Sequence, residues 1–214
     1  MPKLLPAEVS EQIRSLLESM IDPVSIIYFT DHKCSSCIET GQLLEDIAGL
    51  NKKISLVVKD FAKDIDAVKQ YDIRRIPGFV ILDHEQKDRG VRFSGIPAGH
   101  EINSFLSALL EMSGVDSELS ADILARIKKI AKPIDIKVFV TLSCPHCPGA
   151  VQTAHRLAMQ NPFIRSEMIE AQTFQEMSRV YKVSGVPKIV INDKYELLGD
   201  QPPESFLDLI DKIA

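Results

Sequence analysis

Apolar residues Val9, Ile13, Leu16 and Leu17 recur at helical spacing within residues 8–20, with Glu and Arg on the opposite face. That pattern predicts an amphipathic helix. The next apolar run, VSIIYF from Val24, is too short and too β-branched for a buried helix and predicts a strand. A helix from Cys37 to Ala48 and a strand over 54–58 follow. Then come a short helix in DIDAVKQYD, strands in GFVILD and VRFSG joined as a hairpin around DHEQKDRG, and a closing helix in EINSFLSALLEM. The same order returns further on: helix 118–130, strand 134–140, helix 146–159, strand 165–169, helix 173–182, strands 188–192 and 195–198, and helix 203–212. Strand–helix–strand pieces imply parallel pairing through right-handed crossovers, and each hairpin adds an antiparallel edge.

The recurrence is a repeat in register. Sliding the sequence by 110 positions lays Cys34 and Cys37 on Cys144 and Cys147, and PVSIIYFT from Pro23 on PIDIKVFV from Pro133. YDIRRIPGFVILD from Tyr71 falls on YKVSGVPKIVIND from Tyr181, and Glu8, Ser10 and Ile13 fall on Glu118, Ser120 and Ile123. No gap is needed from residue 8 to residue 83. Two copies of one unit are expected, 1–116 and 117–214, the second with a shorter final hairpin because KYELLGDQPPE is shorter than HEQKDRGVRFSGIPAGHE.

Composition narrows the function classes. The 214 residues are 45% hydrophobic and 26% charged, ordinary for a globular protein, with a net charge of −5. A mildly acidic chain without a basic stripe carries no electrostatic footprint for nucleic acid. No apolar stretch is long enough to cross a bilayer, and the start, MPKLLPAEVSEQIRSLLES, lacks the apolar segment of a signal peptide. A cytoplasmic location is expected, where four cysteines are poor candidates for passive staples because thiols there are kept reduced. Zinc is the rival use of C-x-x-C pairs, but 106 residues separate Cys37 from Cys144, against about 15–20 in a zinc ribbon. Haem attachment needs a histidine after the second cysteine, and Ile38 and Pro148 stand there. No metal site is expected.

A C-x-x-C between the first main strand and its helix, followed 43 residues on by an apolar residue and proline before a strand, resembles the thioredoxin fold. Two such units in tandem, CSSC in the first and CPHC in the second, resemble the protein disulfide oxidoreductases, the glutaredoxin-like tandem family of thermophilic archaea and bacteria. VFVTLSCPHCPGA and VSGVPKIVIN carry the likeness most specifically. The fold implied is α/β, two tandem thioredoxin-like units, each a central mixed β-sheet flanked by helices. The resemblance implies that Cys34, Cys37, Cys144 and Cys147 are catalytic. It also implies that Ile76-Pro77 and Val186-Pro187 form cis bonds facing the cysteines, where the main chain of Ile76 or Val186 would pair with a substrate strand. The chain departs from thioredoxins where they carry a buried Asp six residues before the first cysteine: Tyr28 and Val138 stand there, and there is no Trp. The glutaredoxin glutathione pattern after the proline is also absent.

The chemistry suits the spacing. The thiolate is the attacking species, with a free pKa of about 8.5, and a helix N-terminus favours it. Cys34 and Cys144 would attack, and Cys37 and Cys147, one turn later and more buried, would resolve the mixed disulfide. Pro145 suits a first helical turn. A protonated His146 beside the thiolate would stabilise the reduced form and make the second site the more oxidising one. Asp60 and Glu170, equivalent strand-end carboxylates, are expected to be exposed.

The expected activity is protein dithiol–disulfide exchange in the service of cell redox homeostasis, on protein disulfide substrates. By the resemblance, NADPH and flavin reside on a partner thioredoxin-reductase-like flavoprotein, and a peroxiredoxin is a possible client. This chain has no nucleotide-binding glycine fingerprint, so no bound cofactor is expected beyond its redox-active disulfides. Two other readings stand beside it. One is a dedicated electron donor between a flavin-dependent reductase and a peroxiredoxin. Flavoprotein peroxiredoxin reductases also begin with two fused units of this kind, one of which has lost its cysteines. The other is a non-catalytic, client-binding chaperone module.

Overall fold

The computed structural model describes residues 4–117 and 119–213. The predicted helix start at Glu118 lies outside them.

The first unit runs α1 (Ala7–Leu17), β1 (Val24–Thr30), α2 (Ser35–Ala48), β2 (Ile54–Asp60), α3 (Ile65–Gln70), β3 (Gly78–Leu82), β4 (Asp88–Ser94), a 3-10 turn (Gly99–Glu101) and α4 (Ile102–Met112). The second runs α5 (Ala121–Lys128), β5 (Ile134–Val140), α6 (Cys147–Gln160), β6 (Ile164–Glu170), α7 (Gln175–Val180), β7 (Lys188–Ile191), β8 (Tyr195–Leu198) and α8 (Pro203–Ile210). Strand β4 begins three residues before the expected Val91, because the hairpin turn is confined to the segment after Leu82, where Asp83 accepts backbone bonds from Glu85 and Lys87.

All eight strands form one sheet, in the order β2-β1-β3-β4-β6-β5-β7-β8. Within each unit the first strand pairs in parallel with the second and antiparallel with the third, which pairs antiparallel with the fourth. The units join head to tail: β4 pairs in parallel with β6, Val91 opposite Ser166 and Ser94 opposite Ile169. The join satisfies two edges that would otherwise stay open, leaving β2 and β8 as the outer edges. Strands β1 and β5 are buried almost throughout because helices cover both faces of the sheet.

On one face a continuous core runs through both units and includes Phe79, Phe93 and Phe105 as well as Val151 and Ala154. Phe93 lies 4.8 Å from the stacked ring of Phe79 and 4.8 Å, edge to face, from the buried His155 of α6. The opposite face carries a smaller cluster under each short helix, around Phe29 and Val80 in the first unit and Phe139 and Val190 in the second. Small residues let α6 sit tightly in the middle of the molecule, burying Ala150, Ala154 and Ala158 against its neighbours. The turn at Gly99–Glu101 docks on the loop before Cys144, with the His100 amide donating to the Leu142 carbonyl at 2.9 Å. Gly99 has φ +57°, and a Cβ there would stand 2.3 Å from that same carbonyl oxygen.

Candidate active site

Both cysteine pairs arise where a buried strand ends and a helix must start. After β1 the chain turns so that the Cys34 amide donates to the Asp31 carbonyl, and after β5 the Cys144 amide donates to that of Thr141. Each pair is closed as a disulfide, Cys34–Cys37 with Cα atoms 5.3 Å apart and Cys144–Cys147 with 5.5 Å. One helical turn brings the two sulfurs of each pair together.

The two helix starts differ. Cys34 is the N-cap of α2, so its sulfur stands at the unpaired N–H groups of the first turn. In the second unit regular helix begins only at Cys147, with His146 as N-cap. Pro145 therefore lies in the turn ahead of α6 rather than in its first helical turn, and the proline within that first turn is Pro148. The cause is chemical: Pro148 has no N–H to donate back to the carbonyl of Cys144.

Accessibility within each pair is asymmetric. Cys34 is partly exposed and Cys37 3% exposed; Cys144 is 8% and Cys147 0% exposed. Pro145 and His146 are exposed on the rim. Asp200 packs against the first turn of α6 at Gly149, its carboxyl raised by partial burial and drawn back by His146.

The Ile76–Pro77 and Val186–Pro187 bonds are both cis. The Cys144 Sγ lies 3.8 Å from the Val186 carbonyl oxygen. Ile76 and Cys34 both pack on the core that holds Cys37. The carbonyls of Pro77 and Pro187 each accept a backbone bond at 2.9 Å, from Gly95 and Gly199, which fixes both loops to the following strand. Surface grooves open at both places: one beside Cys34 and Cys37, edged by His32, Ile38 and Asp60, and one beside Val186, edged by Thr141, Gln172, Val183 and Gly185. Ile38, next to Cys37, is 64% exposed.

Tyr28 does not replace the absent acid as a base. Its hydroxyl donates to the Cys37 carbonyl at 2.7 Å, and burial pushes its pKa up to about 12. It braces the start of α2 instead, in space left by Gly41, whose Cβ would stand 3.2 Å from the ring. The equivalent positions in the second unit, Val138 and Val151, fill the same volume with two middle-sized side chains.

The strand-end carboxylates are not alike. Asp60 is partly exposed and accepts from Ala62 and Lys63. Glu170, expected to be exposed, is 2% exposed and accepts from the amides of Gln172 and Thr173 and from the Thr173 hydroxyl. It caps the loop after β6, with the loop from the first unit packed on it at Gly95.

The ionisable group that sequence reasoning missed is Glu101. It is wholly buried in the turn that docks on Leu142, two residues before Cys144. Its Oε2 accepts from Ser104 Oγ at 2.5 Å, and its Oε1 has no partner among the described residues. Burial raises its pKa to about 7, against a small lowering by Ser104. Its only signal in the sequence was an acidic residue after IPAGH, where a helix start ordinarily carries an exposed Glu.

Similarity to known proteins agrees with this geometry. Residues 134–212 match the family model described as "Thioredoxin domain". The chain is 34% identical to the AhpF component of alkyl hydroperoxide reductase from Pseudomonas aeruginosa over 208 residues, covering 97% of this chain and 37% of that protein. With the Escherichia coli protein it shares 31% over 191 residues, covering 89% of this chain and 34% of that one. The chain thus spans little more than a third of the length of these curated relatives. Among solved structures, a protein disulfide oxidoreductase from Aeropyrum pernix superposes with a TM-score of 0.91 at 29% identity, covering 98% of this chain and 93% of that one. The NTD_N/C domain of alkylhydroperoxide reductase AhpF from Enterococcus faecalis gives 0.91 at 27%, covering 96% and 99%. The chain is thus built of two tandem thioredoxin-fold units, each holding one C-x-x-C disulfide in an arrangement that supports thiol–disulfide exchange.

Proposed function

We propose that the two units, taken as 1–116 and 117–214, each exchange disulfides with protein clients through their own cysteine pair. The observation that carries this reading is the duplicated arrangement: a more accessible sulfur, Cys34 or Cys144, ahead of a more buried one, Cys37 or Cys147. In the reducing direction the Cys34 or Cys144 thiolate attacks one client sulfur and releases the other as a thiolate, which takes up a proton. Cys37 or Cys147 then gives up its proton and attacks its partner's sulfur, freeing the second client sulfur. The client gains two electrons and two protons, and the chain ends with its disulfide closed. A client strand would pair with the main chain at Ile76-Pro77 or Val186-Pro187, of which Val186 lines a surface groove, and Pro145 and His146 would tune the second site.

The electrons would come from a partner flavoprotein using NADPH, and peroxiredoxins would be among the clients. The identity with the AhpF component of alkyl hydroperoxide reductase along nearly the whole chain favours a second, narrower reading, a dedicated donor to one such client.

Insulin reduction with dithiothreitol tests the general reading. The intact chain accelerates it, Cys144→Ser removes most of the acceleration, and the Cys34→Ser/Cys144→Ser double change removes the remainder. No acceleration by the intact chain defeats the general reading and leaves the dedicated one.

A further inference from the structure

Resting on the proposed client exchange at the first site, we propose that Arg75 is a positioning residue, holding the Ile76–Pro77 loop by reaching across the seam to Glu167 of the second unit. Arg75 lies one residue before Ile76 and is mostly buried, its side chain 15% exposed. Its guanidinium pairs with Glu167 Oε1 and lies 5.9 Å from the centre of the Phe174 ring, at the N-cap of α7. Glu167 sits on β6 and is 1% exposed. Burial alone would raise its pKa, but Arg165 and Arg75, together with a bond from Ser94, hold it below the usual range. Arg74 doubles the tether, with Nη1 2.7 Å from Asp135 at the start of β5.

The first site's client loop is therefore fastened to the other unit. The second site's loop is not. The positions equivalent to Arg74 and Arg75 are Ser184 and Gly185, and a Cβ at Gly185 would meet nothing within 4 Å. The molecule carries its own control: two equivalent loops, one clamped across the seam and one not. Recognition at the first site should depend on the seam, and recognition at the second should not.

The substitution is Arg75→Met, made in two full-length proteins: one with Cys144 and Cys147 changed to Ser, leaving only the first site, and one with Cys34 and Cys37 changed to Ser. Glu167 keeps Arg165, 2.8 Å away, and the Ser94 hydroxyl, so no bare charge is left buried. Hydrogen exchange should speed up at the amides of residues 73–76 by about tenfold or more, with residues 183–186 unchanged. The KM for insulin should rise about fivefold at the first site with kcat nearly constant, and not at the second. Arg75→Lys, which keeps the charge, should restore part of both. Unchanged exchange over 73–76 overturns the clamp. Faster exchange with an unchanged KM overturns its role in recognition, and an equal loss at both sites marks general destabilisation and overturns it too. If the first-site protein is inert toward insulin with Arg75 intact, the client reading of that site fails, while the exchange measurement still decides the clamp.

Discussion

Replacing Glu101 by Gln makes stability climb with pH between 4.5 and 6.5, while replacing His155 by Gln makes it fall over the same window. Two buried groups act there in opposite senses. His155 is 1% exposed, and burial lowers its pKa to about 3, with its Nε2 3.3 Å from the Arg92 carbonyl and its Nδ1 without a partner among the described residues. Once unfolded it titrates near 6.5, so below that pH the unfolded chain takes up a proton that the folded chain refuses. Stability is present above pH 6.5 and is lost as pH falls, by roughly 3 kcal/mol on reaching pH 4.5. Glu101 runs the other way, raised from an unfolded value of 4.5 to about 7. Its contribution is full below pH 4.5 and is lost as pH rises, by roughly 3 kcal/mol on reaching pH 7. In the intact chain the two slopes nearly cancel, and each variant exposes the other's. Asp135 and Glu167, held low by neighbouring cations against their burial, lose their contributions only at lower pH. Urea denaturation of the three proteins across pH 4.5–7 reads the slopes directly. Parallel curves for all three would contradict the assignment.

The second large effect is expected at Gly99. A side chain there costs about 1–2 kcal/mol for the left-handed backbone alone. The Cβ must also displace the Leu142 carbonyl, which accepts the His100 amide and belongs to the loop leading into Cys144. Backbone cannot swing aside as a flexible side chain can. Gly99→Ala should therefore lower stability by about 3 kcal/mol or more. It should also disturb the second site before the first, because the turn docks on the loop that leads into Cys144. Thermal melting, with alkylation rates of Cys34 and Cys144 in the reduced protein, checks both parts. A loss under about 1 kcal/mol would show that the docking yields at little cost.

Much of this was legible in the sequence because it is local or repeated. Strand and helix order follows from apolar spacing, and the 110-residue register exposes the duplication, both cysteine pairs and both prolines at once. What was not legible depends on contacts between distant segments. Nothing local says that β4 will pair with β6 rather than stay an edge, so one sheet of eight strands could not be read from two units of four. Burial of charge is hidden for the same reason. Lys137 and Glu167 lie inside strands yet are 2% and 1% exposed, because each finds opposite charges in other elements. Glu170 looked exposed as a strand-end carboxylate and is covered by the neighbouring unit. The later start of α6 was readable in principle: Pro148 lacks the N–H that would bond back to the Cys144 carbonyl and start the helix one turn earlier.

On the proposed mechanism each unit attacks with its first cysteine and resolves with its second. Trapping the mixed disulfide reveals which cysteine attacks first. Full-length Cys37→Ser and Cys147→Ser proteins, each with the other unit's two cysteines changed to Ser, are reduced, mixed with a disulfide-bridged peptide and mapped by mass spectrometry. Stable adducts on Cys34 in the first and on Cys144 in the second are the expected result. Adducts that form instead on Cys37 and Cys147 in the converse Cys34→Ser and Cys144→Ser proteins, with none on Cys34 and Cys144, would contradict it.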